Sequence, residues 1–221
     1  MKRILTTDLN ESFDYPLMIA VLGDTHISID KKQIPDDFLD QIRQLKPSLI
    51  LHTGDIAVPE VIETLSRIAP TYAVRGNRDI LHWHQFPAIR NFYFNGITIS
   101  LLHGHGTFLQ YVRLKINNLT GRMNPKYISA QLPEAVSDSN FILFGHTHIP
   151  MFWFEGRQAF LNPGAMFDRN AKDKFPYPSF AVIKIAEPDK IGVDIYCKTD
   201  YWHIYCSESI DRELFLRGAL K

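Results

Sequence analysis

The sequence predicts an α/β fold of the mixed α+β kind, in which two layers of β-sheet form a sandwich flanked by helices. Three observations predict it: short apolar runs recur along the chain, helical patterns separate the first runs, and no long helical pattern separates the last ones. Apolar runs that are continuous rather than alternating are typical of strands buried on both faces. Strands that alternate with helices indicate a parallel sheet, and the later runs indicate a second group of strands joined as hairpins.

Eight apolar runs are the strand candidates. In chain order they are Leu17–Leu22, Ser48–Leu51, Thr71–Val74, Ile97–Leu102, Phe141–Phe144, Ala159–Leu161, Phe180–Ile185 and Gly192–Cys197. Two helices are predicted between the first three runs: Asp36–Leu45 stops before Pro47, and Pro59–Ile68 begins with a proline and precedes Pro70. A last helix is predicted over Ser207–Leu220, with Ser207 or Ser209 near its N-cap.

The 221 residues suit one large domain. Residues 1–15 are polar and are predicted to be an irregular leader, and residues 16–221 a single domain. A helical, basic insertion is predicted at about residues 106–140, because residues 106–133 carry four basic side chains and no acidic one. This insertion is interpreted either as a solvated helical excursion or as a lid or rim that attracts an anionic substrate.

Composition excludes several classes of protein. Lys+Arg and Asp+Glu both number 24, so the net charge is zero, which argues against a nucleic-acid partner. No apolar run is long enough to span a membrane, and no secretory signal is evident. Two cysteines do not make a disulfide framework, and we predict a cytoplasmic protein. The aromatic segment around Trp202 leaves a homo-oligomer open.

Five short polar motifs follow the first five strand candidates. They are Gly23-Asp24-Thr25-His26, Gly54-Asp55, Gly76-Asn77-Arg78-Asp79, His103-Gly104-His105 and Gly145-His146-Thr147-His148. Because ligands of open α/β sheets bind at the carboxyl ends of the strands, we expect the motifs to converge at one rim. Residues two apart on an extended strand end point to the same side, so both His-containing pairs, D-x-H and H-x-H, are expected to reach one cluster.

Seven side chains in these motifs are candidate metal ligands. They are Asp24, His26, Asp55, Asn77, His103, His146 and His148. Carboxylate, imidazole and amide ligands together suit first-row divalent metals, and seven ligands exceed the four of a tetrahedral zinc site. They suit two ions that share a bridging carboxylate. A single histidine at a strand end is usually an ordinary core or surface residue, but the complete ordered set favours a metal site.

With these motifs, followed by Asn162-Pro163-Gly164, the chain resembles the calcineurin-like metallophosphoesterases over roughly residues 17–186. It is most similar to their small single-domain phosphodiesterase branch. The resemblance implies a β-sandwich flanked by helices and two divalent metal ions, with manganese as the first choice and nickel, iron, zinc or cobalt as alternatives. It implies that one metal is held by Asp24, His26, Asp55 and His148. It implies that the second is held by Asp55, Asn77, His103 and His146, so that Asp55 bridges the two.

The resemblance also implies an activity: hydrolysis of a phosphodiester, in a small phosphoester or nucleotide-like substrate, by attack of metal-bound hydroxide. The residues expected to serve catalysis are Asp55, Asn77, Arg78 and His105, with His105 orienting its neighbour His103. Many members of the superfamily have a histidine directly after the asparagine, where this chain has Arg78, and this departure argues against efficient phosphomonoester hydrolysis. Arg78 is expected either to contact a phosphate oxygen or to pair with Asp79.

Three other functions remain open at this stage. The fold also serves as a protein-assembly scaffold, as in the small subunit of the retromer complex, although every ligand type is retained here. Larger relatives are nucleases that act on DNA ends. A phosphatase for proteins or small monoesters is the third alternative.

Overall fold

Twelve strands and three helices make up the part of the chain that the computed structural model describes, namely residues 6–10, 15–27, 33–79, 84–94, 96–104, 133, 136–167, 175–187 and 190–217. The strands are β1 (Thr6–Asn10), β2 (Leu17–Leu22), β3 (Leu49–His52), β4 (Thr71–Ala73), β5 (Ile89–Phe94), β6 (Ile97–Leu102), β7 (Phe141–Leu143), β8 (Met151–Glu155), β9 (Gln158–Asn162), β10 (Ser179–Glu187), β11 (Lys190–Lys198) and β12 (Trp202–Asp211). The helices are α1 (Asp36–Leu45), α2 (Glu60–Ser66) and α3 (Arg212–Arg217).

The strands form two six-stranded sheets. Sheet I has the order β12-β11-β10-β2-β3-β4, and sheet II has the order β1-β5-β6-β7-β9-β8. In sheet I, β2, β3 and β4 are parallel because α1 and α2 return the chain between them. In sheet II, β6, β7 and β9 are parallel to one another. Two sets of parallel strands, one in each sheet, therefore end near the loops that carry the polar motifs.

The main core lies between the sheets. Ile19 and Leu51 of sheet I and Phe141 and Leu143 of sheet II belong to one cluster of buried side chains. On the other face of sheet I, residues such as Leu22 pack with the helices in a second buried cluster. Central strands such as β2 and β3 are thus buried on both faces, as their continuous apolar runs predict.

Phe38 and Ile42 anchor α1 to sheet I, and Val61 and Leu65 anchor α2. These four side chains recur at helical spacing, so each helix presents one apolar face to the sheet. The two helices hold the parallel strands in place from outside. They confirm the predicted sandwich with flanking helices.

The assignment of strands to sheets differs from the prediction of two successive groups. The hairpin of β10 and β11 does not start a second layer: β10 pairs antiparallel with β2 and so extends sheet I. Sheet II is built instead from β1 and β5 to β9. The order of apolar runs along a chain does not say which sheet each run will join, because both sheets offer free edges for pairing.

Two predicted segments are corrected by the structure. Within the expected irregular leader, Thr6–Asn10 form β1, which pairs in parallel with β5 at the edge of sheet II. Within the expected helix Ser207–Leu220, β12 continues to Asp211 because it pairs with β11 along its whole length. The helix α3 starts only at Arg212, where Oδ1 of Asp211 accepts the N–H of Leu214 over 2.9 Å. Polar edge strands carry little of the apolar signal on which strand prediction depends.

The predicted insertion of residues 106–140 falls largely outside the described residues, as does His105. Among the residues that are described, no helix is both long and apolar enough to cross a lipid bilayer.

Candidate metal centre

The seven candidate ligands lie on loops that follow five strands of both sheets. Asp24 and His26 follow β2, Asp55 follows β3 and Asn77 follows β4, all in sheet I. From sheet II, His103 follows β6, and His146 and His148 follow β7. The structure brings these side chains together at one rim of the sandwich, as expected from the positions of the motifs.

A first ligand group consists of Asp24, His26 and His148. The Nε2 atoms of the two histidines are 2.9 Å apart. Oδ1 of Asp24 lies 3.2 Å from Nε2 of His148 and 3.7 Å from Nε2 of His26. One carboxylate oxygen and two imidazole nitrogens therefore face a common point.

A second ligand group consists of Asn77, His103 and His146. Oδ1 of Asn77 lies 3.1 Å from Nε2 of His103 and 3.1 Å from Nδ1 of His146. The two rings meet edge to face, with centroids 5.2 Å apart. The amide oxygen is thus placed between two imidazoles that come from the other sheet.

Asp55 lies between the two groups. Its Oδ2 is 3.7 Å from Nδ1 of His26, in the first group. Its Oδ1 is 3.4 Å from Nε2 of His103, in the second group. A carboxylate with one oxygen toward each set of ligands has the arrangement of a bridging ligand.

The hydrogen-bond geometry of His103 shows that these atoms suit a cation. Its Nδ1 lies 2.9 Å from the backbone oxygen of Thr53, which can only accept, so a neutral ring carries its hydrogen on Nδ1. The lone pair of Nε2 then faces two further acceptors, Oδ1 of Asn77 and Oδ1 of Asp55. Three electron-pair donors that face one another repel, and a metal ion between them turns repulsion into coordination.

Asp24 supports the same conclusion from the first group. Its Oδ2 accepts the backbone N–H of His146 over 2.9 Å, which fixes the carboxylate. Its Oδ1 is buried and accepts no hydrogen bond of good geometry from the described residues. A buried carboxylate oxygen without a donor is costly unless a cation binds it. The residues present therefore fit divalent metal ions.

The electrostatics of the site keep His26 and Asp24 in forms that bind metals. Burial lowers the pKa of the His26 ring to about 3, against the opposing effect of Asp24, so the imidazole is neutral near pH 7. For Asp24, burial acts to raise the pKa, but the neighbouring His148, His103 and His26 outweigh it and hold the pKa below the usual range. Burial raises the pKa of Asp55, which acts against the ionised form of this carboxylate. Neutral imidazoles and ionised carboxylates are what a metal site requires.

Most ligands reach the site through left-handed backbone rather than through extended strand ends. Positive φ values occur at Asp24 (50°), His26 (43°), Asp55 (57°), His146 (70°) and His148 (59°). The expected convergence of the D-x-H and H-x-H pairs is therefore real, but its geometric reason differs from the one predicted. Asp and His tolerate this conformation better than most residues, yet each such residue costs about 1 kcal/mol or more relative to ordinary backbone.

Asn162 holds the loop after β7. Its Nδ2 donates to the backbone oxygen of Gly145 over 2.9 Å and to Oγ1 of Thr147 over 3.0 Å. Its Oδ1 accepts the N–H of Gly164 over 2.9 Å. The Asn-Pro-Gly sequence thus forms a turn that supports the loop of His146 and His148.

Arg78 lies at the rim with an exposed side chain. Its backbone N–H donates to Oδ1 of Asp55 over 2.8 Å. Among the described residues it forms no ion pair with Asp79, whose buried carboxylate accepts four backbone N–H groups instead. From the sequence, Asp79 was expected to have no role in the site beyond that ion pair. The only sign of this role in the sequence is that a carboxylate directly follows Asn77 and Arg78. The partners of Asp79 are mostly backbone groups of distant residues, which the sequence does not reveal.

Comparisons with known proteins show the family of this chain. Residues 17–187 match the family model of the calcineurin-like phosphoesterase superfamily domain. A probable metallophosphoesterase of Methanothermobacter thermautotrophicus is 28% identical over 179 residues, which cover 81% of this chain and 91% of that protein. Another, from Methanocaldococcus jannaschii, is 28% identical over 149 residues, 67% of this chain and 68% of that protein.

Solved structures show the same fold at lower identity. Vacuolar Protein Sorting 29 from Cryptosporidium parvum has a TM-score of 0.69 and 21% identity, covering 90% of this chain and 100% of that one. Vps29 from Entamoeba histolytica, in complex with zinc, has a TM-score of 0.67 and 22% identity, covering 88% of this chain and 99% of that one. The match to the family model spans most of the sequence and includes all seven candidate ligands, and the chain belongs to the calcineurin-like phosphoesterase superfamily.

Proposed function

We propose that this protein is a phosphodiesterase that works with two divalent metal ions. The position of Asp55 carries the proposal, because its two carboxylate oxygens face different ligand groups. Asp24, His26 and His148 would hold one ion, and Asn77, His103 and His146 the other, with Asp55 shared. Manganese is our first choice among the metals that accept this mixture of nitrogen and oxygen ligands.

Two ions bound in this way would activate a water molecule and neutralise the charge of the phosphate oxygens. The protein's own part is to fix the ligands before the substrate arrives. The backbone oxygen of Thr53 orients the ring of His103, and the N–H of His146 holds the carboxylate of Asp24. The N–H of Arg78 holds Oδ1 of Asp55. Preorganisation of this kind keeps the cost of rearrangement out of the reaction.

Arg78 stands where many members of the superfamily have a histidine, and this departure argues for a diester rather than a monoester. Its guanidinium is permanently charged and cannot give up a proton, so it does not act as an acid toward a leaving alkoxide. It can bind a phosphate oxygen at the rim, where its side chain is exposed. We therefore propose a small phosphodiester or nucleotide-like molecule with a good leaving group as the substrate.

The test is hydrolysis by metal-stripped protein after addition of Mn²⁺, Ni²⁺, Co²⁺, Zn²⁺ or Mg²⁺. Bis(p-nitrophenyl) phosphate and p-nitrophenyl phosphate would be assayed side by side. We expect cleavage of the diester to require metal and to exceed cleavage of the monoester. Asp55→Ala removes the shared ligand and should lower the diester rate by at least ~100-fold.

The matched control is Asp200→Ala, which removes an exposed carboxylate between β11 and β12 and should keep the parent rate. Circular dichroism of both variants would show that each is folded. Full activity of purified Asp55→Ala would contradict the ligand assignment. A parent protein that binds two ions yet cleaves neither ester would reject the hydrolase and favour the assembly scaffold.

A further inference from the structure

The loops that follow β3 and β4 touch each other through their backbones. We call residues 53–57 the β3 loop and residues 74–79 the β4 loop. A Cβ atom placed on Gly76 would lie 2.3 Å from the backbone nitrogen of Asp55 and 2.1 Å from its Oδ1. No side chain fits between the loops at this point, so something other than side-chain packing must hold them together.

The carboxylate of Asp79 lies beside this contact and binds both loops. Its Oδ2 accepts the N–H of Asp55 over 3.0 Å and the N–H of Gly76 over 2.7 Å. One oxygen atom thus receives one hydrogen bond from each loop. This pair of bonds defines how far apart the two loops lie.

The other oxygen of Asp79 shapes the β3 loop itself. Oδ1 accepts the N–H groups of Ile56 and Ala57, each over 2.9 Å. Within this loop Gly54, Asp55 and Ala57 all have positive φ values, of 100°, 57° and 68°. Successive N–H groups of such a loop form a concave nest for an anion, and a fixed carboxylate offsets the strain of the left-handed residues.

We propose that Asp79 is a positioning residue of the candidate metal centre: its carboxylate fixes Asp55 and Asn77 relative to each other by clamping the two loops that carry them. The inference rests on the proposed function, since it concerns the ligands of that site. Asp79 is 1% exposed, and its hydrogen bonds go to backbone N–H groups, so it acts through the loops and not by contact with substrate. A further hydrogen bond joins the two loops: the N–H of Arg78, in the β4 loop, donates to the side chain of Asp55, in the β3 loop.

Asp79→Asn tests the clamp with almost no change in size. The amide nitrogen donates instead of accepting, so whichever way the side chain turns, two of the four bonds are lost. We expect the affinity of metal-stripped protein for Mn²⁺, measured by isothermal titration calorimetry, to fall by at least about tenfold. The matched control is Asp194→Asn, which alters another buried carboxylate, bound to Lys184 and Ser207, and should keep the parent affinity.

Hydrogen exchange of the metal-free parent provides a measurement that needs no variant. The amides of Asp55, Ile56, Ala57 and Gly76 lie outside every strand and helix, yet their bonds to Asp79 should protect them from exchange. Exchange at the rate of exposed loop amides would overturn the proposal even if Asp79→Asn failed to fold. So would a folded Asp79→Asn with parent affinity for Mn²⁺. A parent that binds Mn²⁺ but cleaves no ester would reject the proposed activity and leave this test of Asp79 unaffected.

Discussion

Arg78 places two separate groups at the rim of the candidate metal centre. Its backbone N–H orients Asp55, and its side chain places a permanent positive charge beside the ligands. After burial and neighbouring residues, that charge is among the causes that lower the pKa of His26. Arg78 and Asp79, both within the described residues, form no ion pair, and the guanidinium is the group that we propose to bind a phosphate oxygen.

Arg78→Ala removes the guanidinium but keeps the backbone N–H, so it should separate the effects of the two groups. We expect KM for bis(p-nitrophenyl) phosphate to rise about 3- to 10-fold, with a smaller change in kcat, since a substrate contact is lost while the ligands stay in place. The exposed position predicts a change in unfolding free energy within ~0.5 kcal/mol. Arg43→Ala, on the exposed side of α1, is the matched control. An unchanged KM would remove Arg78 from substrate binding.

The identity of the candidate ligands could be predicted from the sequence, but their backbone conformation could not. Asp24, His26 and Asp55 stand out because carboxylates and imidazoles follow apolar runs in a fixed order. Their positive φ values depend on close approach between loops that are far apart in the chain. The role of Asp79 was missed for the same reason, because its partners are backbone groups of residues up to 24 positions away.

At the scale of elements, the contact between the β3 and β4 loops depends on Gly76. Gly76→Ala would place a Cβ 2.1 Å from Oδ1 of Asp55, so the loops must move apart. We expect a loss of about 1–3 kcal/mol of unfolding free energy, measured by urea denaturation, and weaker binding of Mn²⁺. In Gly192→Ala, on β11, the new Cβ meets nothing nearer than 3.6 Å. Equal urea midpoints for the two variants would contradict the close approach.

Elements with a strong apolar pattern were predicted well, and several other strands were missed. β2, β6 and α1 have the predicted bounds, since each carries a strong apolar pattern. No prediction covered the edge strands β1, β8 and β12 as strands, or β5, which lies between β1 and β6, whereas the edge strand β4 was predicted. An edge strand gains its stability from backbone pairing with one neighbour, and pairing leaves little trace in side-chain type.

At the scale of the whole molecule, the site depends on how the two sheets face each other. Each ligand group combines residues of sheet I with residues of sheet II, as in Asp24 with His148 or Asn77 with His103. The two-layer architecture was predicted, but the membership of the sheets was not. The core that joins the sheets is therefore as important for the site as the loops themselves.

Phe215, on helix α3, belongs to the core between the sheets, and its replacement tests how much this core stabilises the protein. The side chain is fully buried although α3 has only six residues. The centroid of its ring lies 5.2 Å from the ring centroid of Phe141 and 5.8 Å from that of Phe154. Phe215→Ala should lower the free energy of unfolding by about 3–5 kcal/mol, measured by urea denaturation. Leu214→Ala, at a neighbouring position that is 45% exposed, should cost less than ~1 kcal/mol. Similar losses in both variants would show that α3 does not anchor the sandwich.

The left-handed backbone of the ligands has a consequence for protein engineering. Five of the seven candidate ligands occupy positions where glycine would fit with less strain. A search for thermostable variants that scores the fold alone would therefore favour glycine at these positions and remove the candidate metal ligands as it improved the melting temperature. At these positions the residue that would raise the melting temperature differs from the residue that could bind a metal. A stabilised form of this protein should therefore be sought among substitutions away from the rim.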